Sequence, residues 1–112
     1  MQINFSDVES YKKVALSGRL DTVGVEAIET RFASGVVAAG RSTLVDLTEV
    51  EFLASLGVRM LISTARALST KGGRLVMFNA NPAVADTIEV MGFEDIVPLA
   101  ASESEAIALL AE

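Results

Sequence analysis

One stretch constrains the chain more than any other: Leu44 to Leu61, reading Leu-Val-Asp-Leu-Thr-Glu-Val-Glu-Phe-Leu-Ala-Ser-Leu-Gly-Val-Arg-Met-Leu. Leu44, Val45 and Leu47 are apolar with Asp46 between them, the pattern of a buried strand. Glu49 and Glu51 mark a loop after it. Phe52 and Leu53 then lead into Ser55 and Gly57, and a helical pattern begins near Ser55 or Leu56. A serine at the mouth of a helix lies beside backbone N–H groups that lack intrahelical partners and carry partial positive charge. Such a mouth binds anions, including a phosphate carried on the serine itself. Serine is also among the best N-caps, so capping alone accounts for Ser55 on chemical grounds.

Placed at about 100° per residue, the helix after Ser55 separates into two faces. Gly57, Met60, Leu61, Thr64 and Leu68 fall on the side expected to meet a sheet. Ser55, Arg59, Ser63, Arg66 and Thr70 fall in a narrow polar arc opposite. Val58 and Ile62 sit at the margin, where partial cover is expected. An apolar edge beside a serine and two arginines fits a docking surface, and it equally fits a seam packed under a neighbouring helix. Gly57 is an unfavourable choice in a first helical turn, so a close approach is expected there, of the helix to the sheet or of a partner to the loop.

The other elements follow from periodicity and turn chemistry. Ile3–Phe5 and Lys13–Ser17 alternate like strands, separated by a turn at Ser6–Ser10 and expected to pair antiparallel. Gly18-Arg19-Leu20-Asp21 ends the second, and Asp21 is a good N-cap for a helix lined by Val25, Ile28, Phe32 and Val36. Glu26, Glu29 and Arg31 turn outward, and Gly40 stops that helix. Thr43–Leu47 is the central strand. Lys71-Gly72-Gly73 ends the helix after it, and Leu75–Phe78 is apolar throughout, as expected for a strand covered on both faces. Asn79–Pro82 turns into a helix lined by Val84, Ile88 and Met91 and closed by Gly92. Ile96 and Val97 are expected to form a short edge strand before Pro98. Ser102 caps a last helix, with Glu105 completing a capping box and Ala106, Leu109 and Leu110 as anchors. Two successive strand–helix units favour parallel pairing through right-handed crossovers. The expected fold is α/β: one domain over residues 1–112, a mixed four- to five-stranded sheet packed with about four helices.

Composition excludes more than it asserts. The 112 residues include no cysteine and no histidine, which removes disulfides, thiol chemistry, Fe–S ligation, the commonest metal ligand and the commonest general base. Ser55 has no histidine to activate it, and Leu-Ala-Ser-Leu-Gly lacks the first glycine of a nucleophile elbow. Ser10 and Lys13 have the Ser-x-x-Lys spacing of some acylating enzymes without the companion motifs. Gly72-Gly73 lacks the spacing of a phosphate loop. No catalytic residue, cofactor or metal is expected. The N-terminus shows no basic region and no long apolar core, and no apolar run approaches a membrane span, so a cytoplasmic domain without direct membrane insertion is expected.

The net charge of −6 is unevenly spread. Residues 1–51 hold eight acids and five bases, residues 86–112 hold seven acids and no base, and residues 52–85 hold Arg59, Arg66, Lys71 and Arg74 with no acid. The one basic block thus begins at the Ser55 region. Four bases with few neighbouring aromatics do not make a nucleic-acid face.

Asp46-Leu47, Phe52-Leu53, Ser55 and Gly57 resemble the signature of STAS domains of the anti-sigma factor antagonist family. In that family a strand ends in Asp-Leu and a loop carries Phe-(Leu/Met)-Asp-Ser-(Ser/Thr)-Gly. Gly18, Leu20 and Asp21 match a second family segment, with Arg19 where glutamate is common. Ala54 stands where the family has aspartate, and Leu56 where it has a second hydroxyl residue. The resemblance covers nearly the whole chain by element order, and its specific part lies in residues 44–61. It implies a bacterial-type, non-enzymatic regulator that binds an anti-sigma factor serine kinase and is released when Ser55 is phosphorylated. A PP2C-type phosphatase would reverse the step, and ATP with Mg²⁺ would belong to the kinase. The surface it implies comprises Asp21, Leu53, Ala54, Ser55, Leu56, Gly57, Val58, Arg59, Ile62 and Arg66. Two other members of the resemblance remain open: a STAS accessory subunit supporting the nucleotide-binding subunit of an ABC-type lipid transporter, and a detached regulatory domain of anion transporters.

Overall fold

Val14 and Leu16 are fully buried while Lys13 before them and Ala15 between them are not, because side chains alternate across extended backbone. The same alternation and the helical spacings organise the chain throughout. The computed structural model describes residues 1–8 and 10–111. Five strands alternate with four helices: β1 (Gln2–Asp7), β2 (Lys12–Leu20), α1 (Thr22–Val37), β3 (Thr43–Leu53), α2 (Ser55–Ser69), β4 (Leu75–Phe78), α3 (Pro82–Met91), β5 (Leu99–Ala100) and α4 (Glu103–Leu110). The sheet order is β1-β2-β3-β4-β5. Only β1 and β2 pair antiparallel; the three later pairings are parallel, each reached through a helical crossover.

The helices divide between two cores. Val25, Ile28, Phe32 and Val36 of α1, Met60, Leu61 and Leu68 of α2, and Val84 and Ile88 of α3 share one core with Val14, Leu16, Val45, Leu47, Leu75 and Met77. On the opposite face, Ala106 of α4 joins Tyr11, Leu44, Val76, Phe78 and Ala100. Covered on both sides, β4 is apolar at every position. Glu103 ties α4 down: Lys13 pairs with it at 3.3 Å and the Tyr11 hydroxyl donates to it at 3.4 Å. Burial, reinforced by the Glu103 carboxylate, raises the Tyr11 phenol above its ordinary pKa. Ser102 accepts the Glu105 N–H as a cap, while the Glu105 carboxylate returns to the Ala101 N–H.

Four sequence expectations need correction. The central strand does not stop at Leu47: β3 continues to Leu53, so Glu49, Glu51 and Phe52 are strand residues with exposed side chains. The extension exists because β2 also runs on to Leu20, pairing Gly18 with Val50 and Leu20 with Leu53 across two register shifts. Ser6 and Asp7 belong to β1, which shortens the first turn, and Glu9 in that turn lies outside the described residues. The last strand is Leu99–Ala100, not Ile96–Val97. Ile96 and Val97 both donate to the Phe93 carbonyl in a turn, and Val97 drops into the core. Met91 does not line the core; it is 45% exposed at the end of α3.

Glycine permits two close approaches to the end of β2. A Cβ on Gly24, in the first turn of α1, would overlap the Arg19 carbonyl oxygen. A Cβ on Gly57, in the first turn of α2, would lie 2.8 Å from Leu53 Cδ1 and 3.0 Å from both Leu20 Cβ and the Leu20 carbonyl oxygen. The approach at Gly57 is therefore made inside the fold, helix to sheet. Gly57→Val should destabilise the domain by about 1–3 kcal/mol, the usual cost of overpacking. A thermal melt superimposable on wild type would contradict this packing.

Candidate functional site

A single residue, Ala54, joins β3 to α2. Its N–H donates to the Leu20 carbonyl at 2.9 Å and its own carbonyl accepts from the Val58 N–H at 3.1 Å, so one residue is held by both the sheet and the helix. Ala54, not Ser55, is the N-cap, with φ −107° and ψ 173° and no side-chain cap bond. This corrects the capping role expected of Ser55. The strand runs so close to the helix that the junction falls one residue earlier than serine chemistry suggests. Ser55 is instead the first helical residue, exposed, with its hydroxyl unengaged among the described residues. No acid occupies the first turn. The first-turn N–H groups have no side-chain acceptor competing for them.

From Ser55 a groove of about 470 Å³ runs along α2. Ser55, Val58, Arg59, Ile62, Ser63 and Arg66 line it from α2, and Met91 lines it from α3. Val58, expected at a half-covered margin, is only 4% exposed, because it joins the main core; Ile62 packs partly buried against that core. Arg59 and Arg66 are exposed and make no ion pair among the described residues. The Ser63 hydroxyl between them donates to the Arg59 carbonyl at 2.7 Å.

The remaining residues of the expected surface lie around the groove's upper end. Leu53 and Gly57 are buried beneath the junction, while Leu56 faces out. Asp21 caps the neighbouring helix α1, accepting from the Gly24 N–H at 2.9 Å and from Arg19 Nε at 3.4 Å. The Arg19 guanidinium also lies 4.5 Å from the centre of the exposed Phe52 ring. Sequence reasoning missed this Arg19–Phe52 contact, which only the parallel register of β2 with β3 creates. It also missed Met91, whose spacing after Val84 and Ile88 points to the core.

A family model described as the STAS domain matches residues 2–106. The chain belongs to the STAS domain family. BtrV of Bordetella bronchiseptica, assigned by its name to the anti-sigma factor antagonists, is 27% identical over 108 residues, covering 96% of this chain and 93% of the relative. The crystal structure of an anti-sigma factor antagonist from Mycobacterium paratuberculosis superimposes with a TM-score of 0.87 at 27% identity, covering 99% of this chain and 94% of that one. The phosphorylated form of SpoIIAA from Bacillus shares the fold at a TM-score of 0.68 and 23% identity, covering 96% and 98%.

In this STAS domain the two helix mouths beside Leu20 are capped unequally. The Gly24 N–H bond, assisted by Arg19, holds the Asp21 carboxyl below its ordinary pKa against a smaller opposing effect of burial. Asp21 has φ −104° and ψ −169°, nearly the backbone conformation of Ala54. An aspartate at 54, the family residue, would therefore reach the Gly57 N–H as Asp21 reaches that of Gly24. Ala54→Asp should stabilise the domain by about 1 kcal/mol, the usual worth of an N-cap side chain. Urea unfolding checks it: an unchanged or lower midpoint would show that position 54 is not free to cap.

Proposed function

We propose that this STAS domain is an anti-sigma factor antagonist that works by partner switching. In the unmodified state it binds an anti-sigma factor that is also a serine kinase, and so releases the sigma factor. The observation that carries this reading is the position of Ser55: exposed, on the first turn of α2, unengaged among the described residues, and at the end of an apolar groove flanked by Arg59 and Arg66, which make no ion pair among those residues. The names of BtrV and of the mycobacterial structure support the antagonist role.

The modification is a phosphoryl transfer. A bond forms between Ser55 Oγ and the γ-phosphorus of ATP, the bond from that phosphorus to the β–γ bridging oxygen breaks, ADP leaves, and the hydroxyl proton passes to a base on the kinase. ATP and Mg²⁺ belong to the kinase, and a PP2C-type phosphatase returns the serine. The product adds about −1.5 to −2 charges at neutral pH. The fold tolerates them, since a helix N-terminus stabilises nearby negative charge by roughly 0.3–1 kcal/mol. A partner packed over Ser55 does not, because an unpaired buried charge costs several kcal/mol. A loss of about 3 kcal/mol weakens binding by roughly a hundredfold.

The test is incubation with an anti-sigma factor serine kinase, ATP and Mg²⁺, followed by phosphate mapping by mass spectrometry. Phosphate on Ser55, absent from Ser55→Ala, is expected, together with binding of the unmodified domain to that kinase. No phosphate on Ser55, with association to the nucleotide-binding subunit of an ABC transporter instead, would replace the switch by an accessory-subunit role.

A further inference from the structure

The groove between α2 and α3 carries information about the shape of what fills it. Its floor is apolar, formed by Val58, Ile62 and Met91. Its charged groups are Arg59 and Arg66, both exposed and free of ion pairs among the described residues. No acid occurs anywhere between Glu51 and Asp86. The two arginines are seven residues apart on α2, which places them on one side of the helix and about 10.5 Å apart along its axis at 1.5 Å per residue. Ile62 lies within that span and Val58 one residue before it.

We propose that the groove takes one amphipathic helix of the partner, laid along α2. Two carboxylates seven residues apart on that helix pair with Arg59 and Arg66, and aliphatic side chains between them cover Val58, Ile62 and Met91. A helix repeats its own face at the same interval of about 10.5 Å. An extended strand does not: side chains on one face recur at about 6.6 Å or 13 Å. A small aliphatic acid has a single carboxylate and engages one arginine only. Charge complementarity at both arginines and apolar cover between them thus select a helix with an acidic, aliphatic face. This inference rests on the groove being the partner surface proposed above, and it adds a release step. Ser55 lies one turn before Arg59, so a phosphate at Ser55 competes with the partner's first carboxylate for the Arg59 guanidinium.

The probe is a fluorescent stapled peptide helix with two glutamates seven residues apart, leucines between them and the staple on the opposite face. A control peptide has the glutamates five residues apart, which turns one of them away from the groove. By anisotropy, the matched peptide should bind at least about tenfold tighter than the control, and Arg59→Glu or Arg66→Glu should each cost about tenfold, as close interfacial charge pairs do. Replacing the facing glutamate by lysine should restore binding to each variant, with circular dichroism verifying that the variants fold. Equal affinity for the two peptides, no saturable binding, or no charge-swap rescue would overturn the inference. The same variants are titrated with the intact kinase. Undiminished binding by the doubly reversed variant would overturn the helix and leave partner switching standing. A kinase that ignores the wild-type domain, while the peptides behave as expected, would remove partner switching and leave the groove chemistry in place.

Discussion

The carbonyl of Leu20 holds the site together. It accepts the Ala54 N–H at 2.9 Å, fixing the junction of β3 and α2 to the end of β2. The same backbone is where Gly24 and Gly57 let two helix N-termini come closer than any side chain would permit. With Leu20 and Leu53 both buried, the junction cannot shift without opening the core. Ser55 is one residue from this anchor. Its position is therefore set by packing in the sheet and not by a loop, and neither a partner nor a phosphate has to order it first. Pre-ordering of this kind lowers the entropic cost of recognition.

Charge then gives the anchored site its direction. The segment from Phe52 to Ala85 contains bases only, and α2 presents two of them beside the groove. The last part of the chain is purely acidic and forms α3's outer surface and α4. The acids leave α2 unneutralised: the ion pairs among the described residues join Lys12, Lys13, Arg19 and Arg41 to Asp7, Asp21 and Glu103. Structural charge pairing is thus concentrated on β1, β2 and α4, while the arginines of α2 remain open to an external anion. A separate small core under α4 covers the opposite face of the sheet, and the α2–α3 groove offers an accessible apolar surface on the other side.

Much of this was legible in the sequence because the signals were local. Val25, Ile28, Phe32 and Val36 repeat at helical spacing and are all buried; Leu75–Phe78 is apolar throughout and covered on both faces. Asp21 and Ser102 cap the helices that follow them, as their chemistry indicates, and the Asn79–Pro82 turn leads into α3, where Asn81 is the cap. Ser55, Arg59, Ser63 and Arg66 share the polar arc of α2 and are all exposed. What was not legible depended on distant partners. Glu49 and Glu51 look like loop residues until Gly18–Leu20 is aligned beside them as strand. Ala54 has no capping side chain, so nothing local marks it as the N-cap in preference to Ser55. Val58 is marginal by the periodicity of α2 alone, which does not register the tertiary core that buries it. Met91 obeys the spacing of the buried face and yet ends past the edge of the core.

The most direct measurement installs phosphoserine at position 55 and compares it with wild type in two experiments on the same sample: thermal unfolding, and calorimetric titration with the anti-sigma factor kinase proposed as its partner, an ATPase. The melting temperature should be equal or slightly raised, because the first-turn N–H groups of α2 accept the added charge. Affinity for the ATPase should fall by roughly a hundredfold. A phosphoserine domain that binds as tightly as wild type, or one that loses binding only because it unfolds, would contradict a rigid helix mouth acting as the switch.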